Sequence, residues 1–513
     1  MAVKTRGKIK LKRLVYGRTL ITILALMLQI VLMLGSWLWL IEGLPALMGG
    51  MVVFTAVMLV FILNTRENPT FKLSWCVLIA IAPLVGTVIY LFFKLDLGHK
   101  AGRRLLGRSI ADSNQYRLDT ELELERIQKQ DLELYGIARY LQNNGAVVCR
   151  AADAEYFSLG EELFSAMLRE LSKAEKFIFL EYFAIAPGKM WDQILTILEE
   201  KAAQGVEVRV LYDGGCAVSY LPHDYPKILK DKGIQCKVFS PFRALISTHY
   251  NNRDHRKIMV IDGEVAFTGG VNILDRYINQ EVVFGHWKDN GILVRGTAAR
   301  EFTRLFLQMW NMTERRREWE RWLHPVTDQE GAGYIIPFGD GPHNDQRVCK
   351  MVYLDMLSRA KDYVYIMTPY LILDNEMVTA LTFAAARGVD VRLVLPHIPD
   401  KKYAFALAQS HYEQLLDAGV GIYEYIPGFV HAKTFLCDDR YAVVGTSNLD
   451  YRSLYLHYEC GAYLYRLQVL RDIYRDFQNL FEISCKVDRE MAKNRGVFSK
   501  LAGFILKIAA PLM

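Results

Sequence analysis

The chain has 513 residues, 52% of them hydrophobic, with 62 Lys+Arg against 56 Asp+Glu and a formal net charge of +6. That length leaves room for more than one domain and the hydrophobic share is high for a wholly soluble protein, while so modest a charge decides nothing alone about a polyanionic partner. The eight cysteines are scattered without a CxxC pair or regular spacing, which argues against a disulfide framework or a zinc-finger module.

The hydrophobic excess is local. Leu20 to Leu40, Leu44 to Leu63 and Leu73 to Phe93 are uncharged and mostly apolar; each is about 20 residues long, enough at roughly 1.5 Å per residue to cross about 30 Å of hydrocarbon. Residues 1–95 therefore read as a multi-pass transmembrane helical anchor with two to three crossings, since a signal peptide would be shorter and single. Soluble helices would have to be apolar on every side three times in succession. Lys4, Arg6, Lys8, Lys10, Lys12, Arg13 and Arg18 precede the first segment and only Glu42 follows it, which places the amino terminus in the cytoplasm. Three full crossings would put the rest of the chain outside, yet Lys94, Lys100, Arg103, Arg104 and Arg108 follow the third segment and argue for the inside. Pro83 and Gly86 permit a bent or re-entrant path that reconciles the two signals. The expectation is a protein integral to the cell membrane with its larger part on the cytoplasmic side, where a positive charge suits anionic lipids.

Residues 96–140 are charged and helical in pattern, a connector. Two similar units follow, 141–324 and 346–495. In the first, KFIFLEYF reads as a strand, MWDQILTILEEKAAQG as a helix and VEVRVLYD as a strand; in the second, DYVYIMTPY, a helix ending AAARG and VDVRLVLP repeat that order. Strand, helix, strand means a parallel pair with a crossover helix, so the fold class is α/β in two pseudo-symmetric halves, each a mixed sheet flanked by helices. The Gly/Pro/Asp-rich run 325–345 reads as the linker between halves. ERRREWERW (314–322) mixes arginine and tryptophan as interfacial helices do, although a solvated helix face explains it as well. Residues 496–513 put Lys500 and Lys507 on one narrow face and Phe498, Leu501, Phe504, Ile505 and Ile508 around the rest, which suits a helix lying in a membrane interface; a terminal helix packed on the protein is the competing reading.

The chemistry is carried by a pattern that occurs twice, His-x-Lys-x-x-x-x-Asp: His255, Lys257 and Asp262 in HRKIMVID, then His431, Lys433 and Asp438 in HAKTFLCD. Even a relaxed basic/acidic version is expected only roughly 0.15 times by chance at this composition. The copies also align Gly269 with Gly445, Asn272 with Asn448 and Arg276 with Arg452. Two residues apart in a strand, each His and Lys share a face. Neutral imidazole attacks phosphorus and imidazolium protonates a leaving oxygen, so two copies supply a nucleophile and an acid. Lys257, Lys433, Asn272 and Asn448 are expected to bind the non-bridging oxygens where transition-state charge collects. No metal or other cofactor is required for this, and an ammonium beside each imidazole repels a cation.

NNRDHRKIMVIDGEVAFTGGVNI, GHWKDN, HAKTFLCDDRYAVVGTSNLDYRSL and HYE resemble the phospholipase D superfamily and, within it, the bacterial cardiolipin synthases. The likeness covers most of residues 140 to 490, and NPTFKLSWCVLIAIAPLVGTVIYLFF is similar to the amino-terminal module of the same synthases. The resemblance implies a phosphatidyl-histidine intermediate on one histidine, with the other serving the departing and incoming alcohols. It implies that Asp289 and Glu459 orient His255 and His431, while Asp262 and Asp438 brace the motif loops. It also implies phosphatidylglycerol as substrate and cardiolipin and glycerol as products; no nucleic-acid partner is expected, because a nuclease of the superfamily would not need several membrane segments. A phospholipid hydrolase or another head-group exchanger is the alternative. Two positions depart from the family pattern: His457, where Asn is usual, and Asn290, where His often stands.

Overall fold

In this computed structural model residues 48–95, 97–151, 154–241, 252–324, 331–343, 346–494 and 506–512 are described, with the single positions 27, 30, 31, 34, 35, 326 and 503. The chain divides into one unit of Met1–Ala101, Ser240–Asn251 and Lys507–Met513 and another of Gly102–Phe239 and Asn252–Leu506.

In the smaller unit, helix Met48–Leu63 is followed by Pro69–Ile81 and Pro83–Leu95. Asn68 caps the second of these by accepting from the Thr70 amide at 2.9 Å, with Pro69 at the first helical position. Pro83 cannot donate an amide into the preceding helix, and the chain turns back on itself there. Trp75, before the break, meets Tyr90 and Phe93, after it, with ring centroids 5.4 and 5.6 Å apart. Gly86 permits the approach, since a Cβ there would lie 2.9 Å from Ile79 Cα. The predicted third segment, Leu73 to Phe93, is thus two short helices folded against each other. At about 1.5 Å per residue each is about 20 Å long. No helix among the described residues is long and apolar enough to cross a membrane. The predicted segment Leu20 to Leu40 lies outside the described residues except at a few single positions.

The larger unit holds both repeats. The first sheet has seven strands in the order Glu155–Phe157, Gly291–Arg295, Val265–Gly269, Lys257–Ile261, Phe177–Tyr182, Glu207–Asp213, Gln235–Phe239. The second repeats the last six of these as Glu459–Tyr465, Tyr441–Gly445, Thr434–Cys437, Tyr363–Met367, Asp390–Pro396 and Gly421–Tyr425, with further strands at both edges. Phe177–Tyr182 pairs parallel with Glu207–Asp213, as Tyr363–Met367 does with Asp390–Pro396, around the crossover helices Lys189–Ala203 and Asn375–Ala386. The strand, helix, strand reading of each repeat therefore holds. Motif strands Lys257–Ile261 and Thr434–Cys437 run antiparallel to the first strand of each half.

Helix Thr297–Trp310 is buried along its whole length. Its charged side chains are tolerated because they are paired: Glu301 accepts from Arg300 at 2.8 Å and Arg304 at 2.6 Å, and Arg304 also donates to the Gly145 carbonyl at 2.6 Å.

Three segments differ from their sequence reading. Gly333–Asp340, within the expected linker, is a strand paired with Glu459–Tyr465, because Tyr334, Ile335, Ile336 and Phe338 bury apolar surface on both faces. The connector helices Glu121–Gln130 and Leu132–Asn143 place Leu124, Ile127, Leu134, Ile137 and Leu141 in the core of the second half. Residues 314–322 form neither an interfacial nor a solvated helix: Trp319 and Trp322 are buried, and Trp322 lies 5.2 and 5.3 Å from Phe177 and Phe179 with the Arg209 guanidinium 4.8 Å above its ring. At the carboxy terminus Gly503 is buried against helix Lys402–Asp417, Ile508 is exposed, and Phe498, Lys500, Leu501, Phe504 and Ile505 lie outside the described residues.

Trp322→Ala removes a ring wedged among two aromatics and an arginine, at a cost of about 3 to 5 kcal/mol. A thermal melt of the detergent-solubilised protein should show a clearly lowered midpoint; an unchanged midpoint would mean that the tryptophan lies outside the core.

Candidate active site

The motif strands begin at Lys257 and Thr434, so His255, His431 and Lys433 lie in the approach to them rather than on the shared strand face that their spacing predicts; all four side chains are buried. Each lysine folds back to donate to the backbone carbonyl of its own histidine. The motif aspartates sit at the far end of their strands. Asp262 accepts from the amides of Glu175, Lys176 and Phe177 at 2.8, 2.7 and 2.7 Å; Asp438 accepts from those of Lys361, Asp362 and Tyr363 at 2.8, 3.0 and 2.7 Å. Both adopt left-handed backbone conformations, with φ of 55° and 51°. They tie the turn after the motif strand to the start of the neighbouring strand and touch neither histidine.

The carboxylates that do touch the histidines are exchanged between halves. Glu459, in the second half, receives His255 Nδ1 at 3.0 Å; Asp289, in the first, receives His431 Nδ1 at 2.6 Å. Short parallel pairings deliver them. His286–Lys288 pairs with Gly428–Val430 and the His431 amide donates to the Lys288 carbonyl at 2.7 Å, so the next residue along, Asp289, lands beside His431. Asp254 bridges Tyr458 and the His255 amide donates to the Tyr458 carbonyl at 2.9 Å, which lands Glu459 beside His255. Asp213, at the end of its strand, accepts from the Asp254 amide at 2.9 Å and from Arg253 at 3.3 Å and fixes the approach to His255.

The halves are not identical here. Gly270 faces Asp289 so closely that a Cβ would lie 2.0 Å from Oδ1. At the matching place Thr446 donates its hydroxyl to Glu459. Thr446 escaped the sequence reading; the only signal was its pairing with Gly270 in the repeat. Phe183 and Tyr277 flank His255 and His431 at 5.2 Å each. Asn272 donates to the Tyr277 hydroxyl at 2.9 Å and accepts from the Ala184 amide at 3.2 Å, whereas Asn448 donates to Asp450 at 3.3 Å and its carbonyl oxygen is buried without a hydrogen bond among the described residues. Asn290 bridges the Tyr156 and Thr434 hydroxyls at 2.7 and 2.8 Å.

Burial dominates the electrostatics, since it disfavours whichever form is charged. Burial, then Lys257, Lys433 and His431, holds His255 well below the usual imidazole value. Burial and Lys433 lower His431 to about 4 against the opposing pull of Asp289. Burial brings Lys257 down to about 8 and Lys433 to about 7, and lifts Glu459 to about 7. Asp289 is buried too, but His431 and Lys433 outweigh that and hold it below the usual carboxylate value. Lys433 Nζ lies 2.9 Å from His431 Nδ1, a nitrogen that can donate to Asp289 or accept from Lys433 but not both. The site therefore offers two neutral imidazoles, two ammoniums that give up protons easily, and one firmly ionised carboxylate.

Residues 167–310 and 353–481 match the family model described as Cardiolipin synthase, PLD-like domain. The chain belongs to this family. Residues 53–94 match the model Phospholipase_D-nuclease N-terminal. A cardiolipin synthase of Alkalihalophilus pseudofirmus is 33% identical over 93% of this chain and 95% of its own length, and one of Geobacillus kaustophilus is 35% identical over 93% and 96%. An uncharacterized protein of Streptococcus mutans is 46% identical over 88% of this chain and 99% of its own. The crystal structure of phosphatidylserine synthase from Haemophilus influenzae superposes with a TM-score of 0.57 at 14% identity, covering 74% of this chain and 97% of that one, which is a likeness of fold.

Asp262→Ala removes three backbone bonds to a carboxylate and should cost about 2 to 4 kcal/mol of stability. Asp262→Asn keeps an acceptor oxygen and tolerates the left-handed backbone, so it should recover much of that loss. Denaturation midpoints of the two variants check this. An Asp262→Ala protein as stable as the parent yet inactive would give the residue a chemical role instead.

Proposed function

We infer that the chain is a cardiolipin synthase, an enzyme that transfers a phosphatidyl group from one phosphatidylglycerol to another and releases glycerol. The observation that carries this reading is the exchanged pairing of His255 with Glu459 and His431 with Asp289, which gathers both motifs into one site in a chain whose curated relatives are named for that activity.

In the proposed mechanism Nδ1 of each imidazole is taken by a carboxylate, which leaves Nε2 to react. His255, held neutral, attacks phosphorus. The bond from phosphorus to the glycerol oxygen breaks as that oxygen takes a proton from His431, whose imidazole is neutral in the free site and becomes charged, beside an ionised Asp289, once the phosphodiester brings its negative charge into the site. The hydroxyl of a second phosphatidylglycerol then loses its proton to His431 and attacks the phosphatidyl-histidine, regenerating His255. Lys257 and Lys433, with Asn272 and Asn448, bind the non-bridging oxygens. Bonds broken and made are alike, so the transfer needs no nucleotide.

The enzyme is proposed to be integral to the cell membrane with its catalytic part on the cytoplasmic side, as the basic residues flanking the apolar segments favour. Helix Met48–Leu63 leaves Val52, Val53, Val57, Val60 and Phe61 exposed, a surface suited to lipid. Residues 496–513 are proposed to lie in the interface, where a lipid hydroxyl arrives laterally while water is restricted.

Purified protein given phosphatidylglycerol alone should form cardiolipin and glycerol in equal amounts with little phosphatidic acid, and His255→Ala or His431→Ala should remove nearly all turnover. Mostly phosphatidic acid, or a requirement for a CDP-linked lipid, would replace the synthase with a hydrolase or a different transferase.

The lysines act as cations, so kcat/KM should fall as pH rises above about 7, where Lys433 loses its proton. The nucleophile should contribute no acid limb near neutrality, because His255 is held neutral well below the usual imidazole value. In Lys433→Arg the charge is permanent, and the basic limb should move up by about one pH unit to that of Lys257, whatever the absolute rate. A basic limb left in place would remove Lys433 from the charge-stabilising role.

A further inference from the structure

His457 is buried beside the active histidine, and neither of its ring nitrogens makes a hydrogen bond among the described residues. A neutral imidazole carries one donor and one acceptor, so a buried ring with both unused is aimed at something it does not itself contain. Its ring centroid lies 5.5 Å from that of His255. Its Nδ1 is 3.8 Å from Glu459 Oε1, and the same oxygen lies 3.0 Å from His255 Nδ1. All three side chains are buried, and one ligand atom from each lies within 4.8 Å of the others.

We propose that His255, His457 and Glu459 form an inhibitory site for a transition-metal ion of the Zn²⁺ class. Two imidazoles and one carboxylate are a donor set that Zn²⁺ accepts, with bonds near 2.0 to 2.2 Å and one coordination position left for water. Tetrahedral bonds of that length put ligand atoms about 3.3 Å apart; the two separations to Glu459, 3.0 and 3.8 Å, bracket the requirement, and the one between the histidines is within 4.8 Å. The widest gap closes by turning the His457 ring, which no described hydrogen bond restrains. Binding at Nδ1 moves the ring proton of His255 to Nε2, the nitrogen that attacks phosphorus, and a proton held by Glu459 goes to solvent. With one nitrogen of His255 on the metal and its partner carboxylate engaged, the residue cannot serve as nucleophile. The ion is therefore an inhibitor and has no part in turnover.

Charge limits the affinity and makes binding reversible. Lys257, Lys433, Arg253 and Arg452 act on these imidazoles as cations, against Glu459 and Asp289. Both lysines give up their protons more readily than usual, which relieves part of the repulsion. Mg²⁺ and Ca²⁺ prefer oxygen ligands and gain little from two imidazoles, so the site discriminates against them.

The test uses the full chain in detergent with Co²⁺ as a spectroscopic probe and Zn²⁺ as inhibitor. One equivalent of Co²⁺ should produce the visible bands of a four- or five-coordinate ion, and both His457→Asn and Glu459→Gln should lose them while circular dichroism stays native. Zn²⁺ should inhibit the parent reversibly on EDTA addition, with Mg²⁺ without effect. The Zn²⁺ concentration that halves each protein's own uninhibited rate should rise about tenfold or more in His457→Asn. Absence of a saturable Co²⁺ site in the parent, or a His457→Asn protein that binds Co²⁺ and responds to Zn²⁺ as the parent does, overturns the proposal. Co²⁺ binding is read without lipid, so its failure is distinct from failure of the transferase reading.

Discussion

Everything in the site depends on two short stretches in which one half of the molecule pairs, strand to strand and in parallel, with the other. The pairing of His286–Lys288 with Gly428–Val430 and the bridge of Asp254 with Tyr458 are backbone contacts. Their consequence is electrostatic, because each puts a carboxylate from one half against an imidazole from the other. Neither half alone contains a histidine with its partner. A buried imidazole without its carboxylate would be free to turn, and a buried carboxylate without its imidazole would be an uncompensated charge.

Burial explains why groups of opposite sign can be stored so close together. Two histidines, two lysines and two acids are all withdrawn from water, which pushes each toward its neutral form. The site is thereby poised, with protons that move at little cost when a phosphodiester brings its own negative charge. The halves differ at one position of the repeat, although the Thr446 bond opposes the burial that lifts Glu459. Thr446 donates to Glu459, where Gly270 leaves room for Asp289 and nothing more. Glu459 is lifted to about 7 while Asp289 stays ionised, so two similar half-sites carry different protonation states.

The motif aspartates stand apart from this chemistry. Each accepts three amides from the start of the adjoining strand, holding the motif strand in register so that the histidine at its other end is placed. Asn290 likewise bridges Tyr156 and Thr434 in place of a family histidine.

The doubled motif, the strand, helix, strand order of each half and the family were legible in the residues, because hydrophobic period and residue type are local properties that survive translation along the chain. His255, Lys257, His431 and Lys433 could be named for the same reason. Which carboxylate meets which histidine was not legible, since Glu459 and His255 are separated by 204 residues and only the folded sheets bring them together. The same limit applied elsewhere. An apolar run such as Leu73 to Phe93 has the composition of a crossing helix, but one proline folded it into a hairpin. A Gly/Pro-rich stretch looked like linker until Gly333–Asp340 found a partner strand. Trp319 and Trp322 could have faced lipid or water until Phe177, Phe179 and Arg209 enclosed Trp322. Sequence fixes what a residue can do, and tertiary structure decides what it meets, because the deciding contacts are made between segments far apart in the chain.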